Sequence, residues 1–264
     1  LVLNSSQLLS SSSMPFLRTR KPLTCNKAVL VSVTKFDPGV DLDIRNGARR
    51  DTKRLHKILS RLGFQVDIHN DLSANEIQQV FKTASTEPVD NCFVGVLSSH
   101  GEEGLIFGAD GAAVRLADIF GWFGNPVMAE KTKVFFVQAC RGTDLDSGVE
   151  LQTDSPELSQ EEDSFSHCHA IPINCAVTFA TSPGYSAFLH PLGSVFIQTL
   201  CDLLEEEGGK NLEINQLLTR LNYRVAYSFE ARGRDLGGKK VMPCFVTRLT
   251  REVFPFADRA QHPQ

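Results

Sequence analysis

Residues 134–142 read VFFVQACRG. The segment VFFVQA (134–139) is apolar without alternation, the pattern of a strand buried on both faces rather than of a sheet with one wet side. Such strands belong to mostly parallel sheets covered by helices, and ligands bind in the crevice just beyond their carboxyl ends. Cys140 stands at that place. Upstream, CFVGVLSSHG (92–101) repeats the arrangement: a fully apolar run through Ser98, then His100 just beyond it.

Further outward, AVLVSVT (28–34) is a β-branched buried strand. Leu55, Ile58, Leu59 and Leu62 fall at helical spacing in 49–62, with Gly63 at the stop. FQVDIH (64–69) alternates like a strand, and Ser73 with Glu76 forms a capping box that opens a helix burying Ile77, Val80 and Phe81. LIFGADGAAV (105–114) reads as a hairpin around Asp110-Gly111, and LADIFGWF (116–123) as a short helix. Residues 143–170 are acidic, Ser-rich and without period, which predicts an exposed linker. After it come a strand, CAVTFA (175–180), helices over 194–204 and 213–229, and a strand over 239–250 containing Pro243. Proline cannot donate to a ladder, so that last strand is expected at an edge or in an irregular pairing. Strands alternating with helices predict an α/β fold, with a mostly parallel six-stranded central sheet flanked by helices on both faces.

The chain has 264 residues and a formal net charge of −4, which excludes a nucleic-acid binder driven by a bulk basic surface. It has no apolar run long enough to span a membrane. The seven cysteines are odd in number and widely spaced, without a Cys-x-x-Cys pair. A disulfide framework is therefore not expected, and a reducing compartment fits, the cytoplasm first and the nucleus second. Residues 1–26 are Ser-rich, with Arg18, Arg20 and Lys21 and no acid. They read as a disordered leader, with a transit-peptide composition as the alternative. Neither a Walker loop nor a dinucleotide fingerprint occurs. The only zinc-like cluster is His167-Cys168-His169 with Cys175, too tightly spaced in a linker, so no metal and no cofactor are expected.

A thiol needs a neighbouring base or cation to react well at neutral pH. His100 and Cys140 at adjacent strand tips supply that pair, and the amides of Gly101 and Cys140 can serve as an oxyanion hole. The plainer reading of the same residues is a small buried thiol and a His-Gly loop.

The surrounding words carry a resemblance to the caspases. QACRG (138–142) matches their nucleophile signature, with the His 40 residues upstream against about 50 in the family pattern. SSHGEEGLIFGADG (98–111) is similar to the family's His-Gly segment, and GYSAFLHPLGSVFIQTLC (184–201) to the start of its small subunit. The resemblance spans residues 25–256, and VTK (33–35), GADGAAVRL (108–116) and GYSAFLH (184–190) lie nearest the caspase-14-like branch.

This resemblance implies one catalytic domain: leader 1–26, large-subunit-like region 27–142, intersubunit linker 143–170, small-subunit-like region 171–256 and tail 257–264. It implies Cys140 as nucleophile, His100 as acid/base and Gly101 as oxyanion donor. Arg45, in an Arg-x-Gly setting with Gly47, and Gln138 would grip a substrate Asp, with Ser186 and Phe188 as further substrate-binding positions. Substrates would be proteins or peptides with Asp before the scissile bond. Asp154 and Asp163 would be processing sites of a zymogen. Dimers would form through the last strand, as a homodimer or a heterodimer with other caspases, and the biological setting would be apoptosis or cell differentiation. One departure stands out. Leu189 occupies the position of a second pocket Arg, and Val195 that of a bulky aromatic. Losing a charged partner costs about 1.5–3 kcal/mol. Two readings therefore stay open: a weakened Asp-directed endopeptidase, and a pseudocaspase that regulates other caspases by binding.

Overall fold

The computed structural model describes residues 25–146, 171–232 and 237–257. Asp154, Asp163 and the segment His167-Cys168-His169 lie outside the described residues. The elements follow the expected alternation: β1 (Lys27–Ser32), α1 (Ala48–Arg61), β2 (Gln65–Asn70), α2 (Ala74–Thr86) and β3 (Cys92–Ser98). A small sheet of β4 (Gly101–Glu102), β5 (Leu105–Phe107) and β6 (Ala113–Arg115) follows, then α3 (Leu116–Trp122) and β7 (Thr132–Gln138). Beyond the linker come β8 (Cys175–Phe179), the short pair β9 (Leu189–His190) and β10 (Gly193–Ser194), α4 (Val195–Glu205), α5 (Ile214–Ser228) and β11 (Cys244–Thr247).

The central sheet has six strands in the order β11-β8-β7-β3-β1-β2. All neighbours are parallel except β11, which runs antiparallel to β8. Strands from both sides of the 147–170 segment thus share one sheet. The missing alternation in VFFVQA has a direct cause. Val134 and Phe136 pack under α1, α4 and α5 with Leu55, Phe196 and Leu221, while Phe135 and Val137 pack under α2 and α3 with Phe81 and Phe120. Phe135 lies within 5.0–6.4 Å of four other Phe rings, centroid to centroid. Each fully buried side chain of this kind contributes roughly 1.5–3 kcal/mol. The rigidity of that core holds the strand tips.

The capping box forms as expected: Ser73 Oγ accepts from the Glu76 amide, and the Glu76 carboxylate accepts from the Ser73 amide. The hairpin of β5 and β6 forms around Asp110-Gly111. The strand anticipated over 239–250 is shorter, beginning at Cys244 directly after Pro243, and it is the outer strand of the sheet. Arg248 N–H donates to Cys175 O, so by the period of two the amides of Val246 and Cys244 face β8. Those of Phe245 and Thr247 point to the open edge.

Candidate active site

Strands β3 and β7 are adjacent and in register, Ser98 opposite Gln138. His100 and Cys140 therefore each lie two residues past a paired position, at neighbouring tips. Ser99 N–H donates to Gln138 O at 3.2 Å and ties the two tips together. Both side chains line one cleft of about 280 Å³, together with Arg45, Gln138, Ala187 and Leu189.

His100 Nε2 lies 2.8 Å from Asp43 O. A carbonyl only accepts, so Nε2 carries the hydrogen and the neutral ring keeps its lone pair on Nδ1. The Phe36 ring, 5.4 Å away between centroids, packs against the imidazole. Burial pushes the His100 pKa below its ordinary 6.5. The Asp43 carbonyl opposes that shift and the Arg45 charge adds to it. The ring is thus a neutral base at pH 7. At Gly101 a Cβ would lie 2.5 Å from Leu105 O and 3.0 Å from Ala139 Cβ, so only glycine lets the His loop approach the Cys loop this closely.

Cys140 is half-buried, and its sulfur faces the Ala187 peptide: Ala187 N–H donates to Sγ at 3.4 Å, and the thiol lies 3.8 Å from Ala187 O. The loop after Cys140 is laced to 184–186 by Arg141 N–H to Tyr185 O, Gly184 N–H to Arg141 O and Ser186 N–H to Asp144 O, all within 3.0 Å. Cys92, Cys175 and Cys201 differ sharply. They are sealed in the core, and burial pushes each thiol up to about 12. They are inert at neutral pH.

Of Arg45 and the two arginines on the first turn of α1, only Arg45 points inward. It is 5% exposed, whereas Arg49 and Arg50 are exposed. Its Nη1 donates to Val33 O at 2.7 Å, and its Nη2 to Ser98 Oγ at 3.1 Å and Gln138 O at 3.5 Å. Burial pushes its pKa down to about 10, with Asp51 and Cys140 opposing, so the guanidinium remains charged at neutral pH. Gln138 is buried and its Oε1 has no hydrogen-bond partner. Leu189 shares the cleft with both. Ser186 and Phe188 do not line it. Ser186 Oγ donates to Gly142 O, and Phe188 packs on Phe229 at 5.1 Å between centroids.

Sequence reasoning passed over Asp51. This buried carboxylate accepts from Ser194 N–H at 3.0 Å and from Gln198 Nε2 at 2.7 Å. It pins the start of α4 to α1. Beside it, a Cβ on Gly47 would meet His190 O at 2.0 Å, so the β9–β10 turn sits directly on the Arg45 loop. Asp51→Ala strands the Ser194 amide and the Gln198 amide group. It is expected to cost about 2–3 kcal/mol in urea unfolding, and to raise KM more than it lowers kcat, because Leu189 and Ala187 ride on that turn. Unchanged KM with lowered stability would restrict Asp51 to a folding role.

Arg141, the fourth residue of QACRG, has its own task. Its guanidinium stacks 4.2 Å over Phe179, pairs with Glu103 at 2.6 Å and donates toward Cys244 Sγ at 3.0 Å. It fastens the nucleophile segment to the antiparallel edge of the sheet. The Asp43 carbonyl could not have been found from residue types, since every residue carries one.

A family model for the caspase domain matches residues 25–254. Caspase-7 of Gallus gallus is 40% identical over 238 residues, covering 86% of this chain and 76% of that protein. Caspase-3 of Mesocricetus auratus is 36% identical over 236 residues, covering 86% and 82%. The crystal structure of caspase-1 from Spodoptera frugiperda superposes with a TM-score of 0.76 at 27% identity, covering 90% of this chain and 92% of that one. A domain match across nearly all of the described fold, and relatives matched over three quarters or more of their own length, agree with a thiol and an imidazole that line one cleft: the chain belongs to the caspase family of cysteine endopeptidases.

Proposed function

We propose that the chain is an endopeptidase that cleaves proteins after Asp and is weakened by Leu189. The observation that carries this reading is the shared cleft: nucleophile, base, one buried guanidinium and one unpartnered amide line a single space. Cys140 Sγ attacks the scissile carbonyl carbon, and its proton passes to His100 Nδ1. The amides of Gly101 and Cys140 hold the developing oxyanion. His100 gives that proton to the leaving amine as the C–N bond breaks, which leaves a thioester on Cys140. Water then loses a proton to His100 and attacks the thioester. The C–S bond breaks, sulfur recovers the proton, and the new carboxyl end departs.

Activation follows cleavage after Asp154 or Asp163 and pairing of two chains through β11, whose outer amides need a partner. Thr247→Pro removes one outward donor and leaves the bonds to β8 intact. It is expected to shift sedimentation from dimer to monomer and to reduce turnover with it; a dimer of unchanged strength would move the interface elsewhere. Kinship with the caspase-14-like branch rests on VTK (33–35), GADGAAVRL (108–116) and GYSAFLH (184–190), and a role in differentiation rests on that kinship. A second reading, a non-catalytic partner of other caspases, draws on Leu189 and on the Ala187 peptide lying against Cys140.

The test is covalent labelling of linker-cleaved protein by a peptide electrophile ending in Asp, in kosmotropic salt. The expected adduct maps to Cys140 by mass spectrometry and is absent in Cys140→Ala. No adduct, together with no turnover of Asp peptides, leaves the second reading.

A further inference from the structure

We infer that residues 17–21 of the leader add a strand to the outer edge of β2, on the side of the sheet opposite β11, with a basic side chain seated over the cavity between β2 and α2. Three features point to this occupant: an open edge, an acidic cavity beside it, and the place where the leader joins the fold.

The edge comes first. β2 is the end strand of the sheet, and among the described residues it pairs with β1 alone. Gln65 N–H donates to Asn26 O and Asp71 N–H to Ser32 O, so by the period of two the odd-numbered amides of β2 face β1. The amides and carbonyls of Val66, Ile68 and Asn70 point to the open side. Such a row is a template for one more strand.

The cavity gives the edge a preference. Asp67 and His69, on one face of β2, line a space of about 280 Å³ with Lys27 of β1, Val80 of α2 and Glu87 at the helix end. One ammonium meets two carboxylates there, because Lys27 Nζ pairs with Asp67 at 3.0 Å and also with Glu87. The Lys27 side chain is 13% exposed, whereas the two carboxylates are 38% and 44% exposed and keep a side open to a second cation. α2 also ends here without a basic residue in its last turn, and a cation is favoured at such an end.

The leader supplies that cation. Residues 17–21 read LRTRK, and residues 1–26 contain no acid. The leader enters the fold at Lys27, which lies opposite Gln65, the first residue of β2. To reach the outer side of β2 the chain crosses two strand spacings, about 10 Å, and residues 22–25 span that at roughly 3.3 Å each. Pro22, which cannot donate, falls in the crossing and outside the ladder. The residues before it run antiparallel to β2, since the chain must arrive beside that strand's start. Side chains alternate between faces, so one register turns Arg18 and Arg20 to the cavity and the other turns Lys21, and each seats a cation. A tether this short gives an effective concentration on the order of millimolar, so modest affinity suffices.

The test is hydrogen exchange and trypsin cleavage of the full, unprocessed chain. Neither readout needs activity, so its failure leaves the endopeptidase reading in place. In Arg18→Gln/Arg20→Gln/Lys21→Gln the amides of Val66 and Ile68 are expected to exchange about ten-fold or more faster than in the wild-type chain, while those of Asp67 and His69, bonded to β1, keep their rates. Trypsin is expected to cut after Arg18 and Arg20 about ten-fold or more faster in Asp67→Asn/Glu87→Gln than in the wild-type chain. Equal exchange at Val66 and Ile68 in the wild-type and triple-variant chains overturns the inference, as do equal trypsin rates. Protection that grows with protein concentration also overturns it, because the edge would then be covered by a second copy. The triple variant changes no described residue, so the exchange comparison stands whether or not Asp67→Asn/Glu87→Gln folds.

Discussion

Replacing Cys140 with Ala is expected to abolish peptide cleavage, and replacing His100 with Ala to lower kcat/KM by about 10²–10⁴-fold, the usual contribution of a positioned acid/base. The two substitutions differ in a second readout. His100→Ala keeps an accessible thiol that alkylates slowly at neutral pH, whereas Cys140→Ala loses that site and leaves Cys92, Cys175 and Cys201 sealed. The wild-type pH profile carries the sign of the mechanism. Burial holds the His100 pKa below 6.5, so the imidazole is neutral at pH 7 and charges only on further acidification. The acid limb of kcat/KM should therefore have its midpoint below 6.5, with activity falling as pH falls through it, and the limb should vanish in His100→Ala. An acid limb centred above 7 would mean that the ring is not the desolvated base bonded to Asp43. These effects act in the free enzyme, so kcat/KM is the parameter to follow.

Much of this site is legible in the chain because its parts sit on strands buried on both faces. Apolar runs without alternation locate β3 and β7, and the residues just past them are then fixed at one edge of the sheet. That is how His100 and Cys140 can be paired from sequence while 40 residues apart. The Arg45 loop is different. Three arginines within six residues leave the register open, and only burial separates Arg45 from Arg49 and Arg50. The β9–β10 pair has two residues per strand, too few for any period, and it is positioned by Asp51 from the far side of the chain. Phe188 shows the limit from another direction. The family resemblance implies a substrate contact for it, the structure shows its ring packed on Phe229, and nothing in a linear pattern tells those two neighbours apart.

Arg45→Gln is expected to lower kcat/KM for Asp peptides by about 10²–10³-fold, equivalent to ~3–4 kcal/mol for a buried charged hydrogen-bonding partner. The loss has two sources that can be separated. One is substrate charge: without the guanidinium, a carboxylate entering the cleft meets Leu189 and a neutral amide. The other is the frame. Val33 O and Ser98 Oγ accept from this side chain, and Gln138 O, which also accepts from Ser99 N–H, lies 3.5 Å from it, so its removal takes a donor from Val33 O and Ser98 Oγ and lowers stability as well. Arg45→Lys discriminates between them. Lysine keeps the charge, but it is a compact, strongly hydrated head that cannot reach three acceptors in one plane. Partial recovery of Asp cleavage with little recovery of urea stability would assign the activity loss to charge; recovery of neither would assign it to the collapsed frame. A folded Arg45→Gln protein that cleaves Asp peptides at the wild-type rate would mean that the acid-binding pocket lies elsewhere, with Arg49 and Arg50 on the first turn of α1 the neighbouring cations left to hold it.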